Sequence, residues 1–111
     1  MKNLLLCLLL LVAAANVEAA ELLIFTAPWC GPCQALKDDL KADPSIVAGY
    51  EWGYVDFDTE KELVALYGVK TVPSFFILEG NQVVRQHTGY RGPKQLKSWL
   101  QENKQHIGRR R

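Results

Sequence analysis

The chain is poor in cysteine, with three in 111 residues: Cys7 stands alone, and Cys30 and Cys33 are three positions apart. That is too few for a small fold stapled by bridges in place of a core. It also lacks an excess of either charge, because thirteen Lys and Arg against twelve Asp and Glu leave a formal charge of +1. Binding to a phosphate backbone needs a broad positive field, so nucleic acid is not expected as a partner. Histidine is scarce as well. His87 and His106 have no finger-like spacing to the cysteines and read as surface residues, so no metal site is expected. An apolar run of about 20 residues, the length that crosses a bilayer as a helix, is missing too. What remains is ordinary: 49% hydrophobic and 23% charged residues, typical of a soluble chain, in a length that suits one domain.

The first 19 residues read as a targeting segment. Lys2 supplies a positive start, residues 4–15 are uncharged and apolar, and Val17 and Ala19 put small side chains where a signal peptidase reads. Cleavage after Ala19 is favoured, since cleavage after Ala20 would place charged Glu18 at one of those positions. Cys7 then leaves with the leader, and the expected destination is secreted or periplasmic, where disulfides persist. The alternative is a membrane tether formed by an uncleaved N-terminus. Residues 20–108 form the expected domain, and Arg109, Arg110 and Arg111 form a basic, solvated, unstructured tail.

Hydrophobic patterning divides that domain into seven elements. Residues 22–26 are continuously apolar with β-branched and aromatic members, which predicts a central strand buried on both faces. Cys33, Leu36 and Leu40 recur at helical spacing until Asp43-Pro44 stops the pattern. Residues 50–57 predict a second strand, with a bulge or close backbone approach at Gly53, and with Trp52 and Tyr54 as core or half-buried residues. Thr59 and Glu62 fit a capping box for a helix that Gly68 closes. Residues 74–78 and 82–87 flank Gly80-Asn81 as an antiparallel hairpin, and Pro93 opens a last helix with Leu96, Trp99, Leu100 and Asn103 in register. Asp56 and Asp58, at the end of the second strand, are expected to solvate the turn and carry no chemistry. The order is βαβαββα, an α/β class fold.

The chemistry concentrates where the first helix begins, at Trp29-Cys30-Gly31-Pro32-Cys33. A cysteine at a helix N-terminus faces free amides and the positive end of the dipole, which stabilise a thiolate below its usual value of about 8.5. Cys30 is the expected nucleophile. Cys33, one turn on, can attack a mixed disulfide on Cys30 and is the expected resolving thiol. Gly31 leaves room for a substrate chain, and Pro32 suits a first turn whose amide has no partner. An inert structural disulfide is a weak alternative, since so small a loop gains little entropy from closure.

This arrangement resembles the thioredoxin superfamily. The likeness rests on Trp29-Cys30-Gly31-Pro32-Cys33, on Val72-Pro73 before a strand, and on Gly89 after the hairpin, and it spans residues 22–103. It implies a minimal thioredoxin-like fold with a four-stranded mixed sheet flanked by helices, lacking the extra N-terminal strand and helix of full-length members. It implies a cis Val72-Pro73 bond facing the cysteines, and a substrate groove lined by Trp29, Val72, Pro73, Gly89 and Tyr90. It further implies a thiol–disulfide oxidoreductase with no cofactor beyond the cysteine pair. The expected partners are protein or peptide thiols and disulfides, plus an upstream redox partner for which a membrane reductase is one candidate. The protein is expected to be a monomer. The reducing direction is favoured by Gly31-Pro32; the alternatives are a disulfide oxidant or isomerase, and a non-catalytic binding module. One departure stands out. Many members carry a buried acid six residues before the nucleophile, with a lysine beside it, and here Ile24 and Tyr54 fall at or near those positions. Loss of the acid is expected to slow deprotonation of Cys33, since a buried thiol stays neutral.

Overall fold

The structure, a computed structural model, describes residues 20–110, the side chains of 105–110 excepted. Expectations for residues 1–19, including Cys7 and the cleavage position, lie outside the described residues, as does the side chain of His106.

Strand β1 (Ala20–Thr26) leads into helix α1 (Gly31–Ala42) and a 3₁₀ turn (Pro44–Val47). Strand β2 (Tyr50–Asp56), helix α2 (Lys61–Tyr67), the hairpin β3 (Ser74–Glu79) and β4 (Gln82–Thr88), and helix α3 (Pro93–Arg110) follow. The sheet order is β2-β1-β3-β4, with β1 parallel to β2 and antiparallel to β3. This is the expected four-stranded mixed sheet in βαβαββα order. β1 is interior because its residues 22–26 have apolar partners on both faces. Leu22 and Ile24 pack with Leu36, Leu40, Phe75, Ile77, Leu96 and Leu100. On the opposite face Phe25 packs with Val55, Val69, Phe76 and Leu78, with Tyr67 of α2 laid against them. Full burial of each large apolar side chain contributes roughly 1.5–3 kcal/mol, so these two layers fix the strand in place.

The hairpin turn has Gly80 at φ 54° and Asn81 at φ 68°, the left-handed pair that a tight two-residue turn demands. Several local expectations need correction. β2 keeps unbroken register with β1 through Leu23↔Gly53, and a Cβ at Gly53 would meet nothing within 4 Å, so there is neither bulge nor close approach. Trp52 and Tyr54 are 40% and 38% exposed, because β2 is an edge strand. The Thr59–Glu62 capping box does not form. Asp56 Oδ1 accepts the amides of Asp58 (2.8 Å) and Thr59 (3.4 Å), and this turn off the strand end delays the helix to Lys61, whose N-cap Glu60 makes no side-chain bond. α3 runs to Arg110, so two of the three terminal arginines continue a helix where an unstructured tail is expected. His87 is half-buried, stacked 5.3 Å from Trp99 and 5.9 Å from Phe75.

Candidate active site

The turn after β1 delivers Cys30 to the start of α1. Its amide closes the turn on the Ala27 carbonyl (3.1 Å), and its backbone is extended at φ −92°, ψ 111°, as an N-cap residue should be. In that position the Cys30 sulfur, and not an oxygen, accepts the first free amide of the helix: Cys33 N–H donates to Cys30 Sγ at 3.2 Å. Pro32 occupies the first turn, where its missing N–H costs nothing. Beside it the space around Gly31 is open, and a Cβ at that position would meet nothing within 4 Å.

Cys30 and Cys33 are joined as a disulfide with Cα atoms 5.2 Å apart. Cys30 is 5% exposed and Cys33 is fully buried among Ala27, Phe57 and Val72. The two sulfurs are therefore inequivalent: one borders the surface, the other lies behind it. The Val72 carbonyl oxygen lies 3.6 Å from Cys30 Sγ. In the disulfide that is a contact, since the sulfur carries no hydrogen; in the dithiol, a Cys30 S–H has an acceptor there.

The predicted groove residues converge around this carbonyl. The Val72-Pro73 bond is cis, and the Pro73 carbonyl accepts the Gly89 amide at 2.8 Å, with Gly89 in the left-handed region at φ 92°. The hairpin β3–β4 thus brings residues 72–73 and 89 together although they are far apart in sequence. Trp29 is 66% exposed, and its indole Nε1–H is shared between both Asp58 carboxylate oxygens at 3.1 and 3.0 Å, with the ring edge-on to Phe57. The expectation that Asp58 only solvates a turn fails, because nothing local in sequence places the end of β2 beside the end of β1. The parallel register does so, pairing Thr26 with Asp56. Tyr90 follows Gly89, but its hydroxyl is committed to Asp39 Oδ2 of α1 at 2.6 Å. Burial, and then the hydrogen bond and charge of Asp39, hold the phenol well above its usual pKa.

Ile24 is fully buried in an apolar layer with Leu22, Leu36 and Leu40, and pairs in register with Tyr54 on β2 and Phe75 on β3, so among the described residues its packing partners include no carboxylate. Tyr54 does not fill the gap. It lines an open groove with Lys37, Leu40, Lys41, Pro44 and Trp52, the Lys37 ammonium 5.1 Å above its ring, and partial burial raises its pKa.

The thioredoxin family model matches residues 12–102. The chain belongs to the thioredoxin family. It is 27% identical over 92 residues to thioredoxin of Bacillus subtilis (strain 168), covering 82% of this chain and 88% of that protein. It is 31% identical over 93 residues to human protein disulfide-isomerase A2, covering 78% of this chain but 18% of that larger protein. The X-ray structure of Fasciola hepatica thioredoxin superposes with a TM-score of 0.68 at 24% identity, covering 85% of this chain and 89% of that one, which shows the shared fold. Thioredoxin-family membership and the Cys30–Cys33 disulfide together support thiol–disulfide oxidoreductase activity on protein substrates.

Proposed function

We propose that this thioredoxin-family protein reduces disulfides of protein or peptide substrates outside the cytoplasm, with Cys30 as nucleophile and Cys33 as resolving thiol. The observation that carries the reading is the asymmetry of the pair. Cys30 Sγ borders the surface, accepts the Cys33 amide and lies against the Val72 carbonyl, while Cys33 is sealed beneath. Cys30 thiolate attacks a substrate disulfide, forming a mixed disulfide and releasing one substrate thiolate, which takes a proton from water. Cys33, once deprotonated, attacks Cys30 Sγ. The second substrate thiolate leaves, the Cys30–Cys33 disulfide forms, and two electrons have passed to the substrate. An upstream dithiol donor, a membrane reductase being one candidate, then restores the dithiol.

The reducing direction is supported by Gly31-Pro32 between the cysteines, which resembles reducing thioredoxins. Export is supported by the pattern of residues 2–19, with cleavage after Ala19. A second reading, disulfide oxidant or isomerase, is favoured by the similarity to protein disulfide-isomerase A2. Equilibrating the protein against glutathione, with alkylation to count thiols, separates the two. A potential near roughly −270 mV supports the reductase, and one between about −180 and −120 mV supports the oxidant or isomerase. A pair that never exchanges refutes both.

A further inference from the structure

Helix α1 is tied to the groove segments at two places. The first is at the sulfur, where the Val72 carbonyl oxygen lies 3.6 Å from Cys30 Sγ. The second is further along the helix, where the Tyr90 hydroxyl donates to Asp39 Oδ2 at 2.6 Å. At 1.5 Å of rise per residue the two ties stand about 13.5 Å apart along the helix axis. Between them the path is continuous. Val72 adjoins Pro73, whose carbonyl accepts the Gly89 amide at 2.8 Å, and Gly89 adjoins Tyr90. The contacts close into a ring with α1 as one side.

The two ties are not equivalent during reaction. A substrate that bonds to Cys30 Sγ must enter beside the Val72 carbonyl, so the first tie is the one that the chemistry disturbs. The second lies away from the sulfurs and can persist with substrate in place. What it holds would otherwise be loose. Gly89 at φ 92° and Gly92 at φ 110° bracket the span, and glycine has the widest backbone freedom. Among the described residues no other hydrogen bond joins residues 89–92 to α1. The Tyr90 ring packs against the core cluster that includes Leu36 and Leu40, so its hydroxyl reaches the carboxylate with little rotamer entropy left to lose. Burial and the Asp39 bond keep the phenol protonated well above its usual range, so the donor is present wherever thiols react.

We propose that Tyr90 and Asp39 are positioning residues for disulfide exchange: their hydrogen bond fixes how far the 89–92 span stands from α1, and with it the width of the groove through which an extended peptide reaches Cys30. The proposal rests on the redox reading above. Neither residue bonds to a sulfur, so the intrinsic chemistry of the pair is left alone. The effect is selective. An extended peptide must fit the groove and depends on the bond, whereas a small disulfide that needs only Cys30 Sγ does not.

Pre-reduced protein, oxidised in a single turnover by excess disulfide, tests this with two oxidants. One is the disulfide-linked dimer of an extended peptide, and the other is oxidised glutathione. Each takes two electrons and two protons from the Cys30–Cys33 dithiol and leaves as two thiols. Tyr90→Phe keeps the packed ring and removes only the hydroxyl. In that variant the half-saturating peptide concentration should rise at least ~5-fold. Its limiting rate, and its rate with oxidised glutathione, should stay within about twofold of wild type. Asp39→Ala should reproduce this, and Asp39→Asn, whose side-chain oxygen still accepts the phenol, should stay near wild type. Tyr90→Phe/Asp39→Ala should be no worse than either single change. An unmoved half-saturation overturns the proposal, as do equal losses with both oxidants or losses that add in the double variant. Amide exchange at Gly89 in the disulfide form is a readout free of turnover. It should quicken at least ~5-fold in Tyr90→Phe, and an unchanged rate also overturns the proposal. A wild-type protein that exchanges with neither oxidant overturns the redox reading and this proposal with it; normal exchange that Tyr90→Phe leaves untouched overturns the proposal alone.

Discussion

Replacing Ile24 by aspartate would restore the acid that many thioredoxins carry six residues before the nucleophile, and in this chain it should be costly. Ile24 is fully buried on the central strand, between Tyr54 and Phe75, in a layer with Leu22, Leu36 and Leu40. Removing its apolar side chain forfeits roughly 1.5–3 kcal/mol of burial. A neutral carboxyl left without a hydrogen-bond partner costs a further ~1–3 kcal/mol. The sum is about 4 kcal/mol against a total stability of roughly 5–15 kcal/mol. The penalty must also depend on pH. Burial raises the folded carboxyl's pKa above its unfolded value of about 3.9, so the smaller penalty holds below that value. It grows as pH climbs through the folded value, by about 1.4 kcal/mol per unit of displacement. Urea unfolding of the disulfide form at pH 4 and pH 8 measures this, with Ile24→Asn as the control that cannot ionise. Should Ile24→Asp lose less than about 1 kcal/mol at pH 8, or track Ile24→Asn at both pH values, the description of this layer as buried and apolar would be wrong.

Three other outcomes follow from the site and its supports. Cys33→Ser should slow multiple-turnover disulfide reduction at least ~10²-fold and accumulate a mixed disulfide on Cys30, visible as a mass adduct, because the intramolecular attack is gone; undiminished turnover would remove Cys33 from the resolving role. Asp58→Ala frees the Trp29 indole at an exposed position, so it should cost no more than ~1 kcal/mol of stability. The same change should raise KM for a peptide disulfide several-fold, and an unaltered KM would show that Trp29 orientation does not matter to substrate. Burial pushes the Tyr50 phenol up to about 12, and its hydroxyl donates to the Leu100 carbonyl. Its folded pKa exceeds the unfolded value, so its stabilisation is complete below pH 10 and fades toward pH 12, by about 2 kcal/mol in denaturant titrations; Tyr50→Phe should remove that decline, and an identical decline in both proteins would discount the tyrosine.

The periodic parts of the fold were legible in the sequence because a single element carries each signal. Leu36 and Leu40 mark the buried face of α1, and Gly80-Asn81 announces the hairpin without reference to anything distant. The cysteine pair was legible for the same reason: helix start, sulfur and amide lie within four residues. The misreadings occur where a distant partner decides. Trp52 and Tyr54 have the composition of core residues, and only the strand order exposes them at an edge. Asp58 looks like turn solvent until the parallel register lays it beside Trp29. Thr59 and Glu62 fit a capping box, yet Asp56 at the strand end takes the Thr59 amide that Glu62 would have reached back to. Tyr90 sits in the groove segment by sequence, but its hydroxyl belongs to Asp39.

Gly89 at φ 92° and Gly92 at φ 110° bracket a two-residue span in which Tyr90 is moored to α1 and Arg91 stands exposed. Backbone course and surface chemistry are thereby assigned to separate neighbours. The tyrosine and the two glycines hold the path of the chain past the redox pair, and the arginine is left free of that duty. Position 91 is thus where this segment can change in charge or in bulk without altering the turn that Gly89 and Gly92 set.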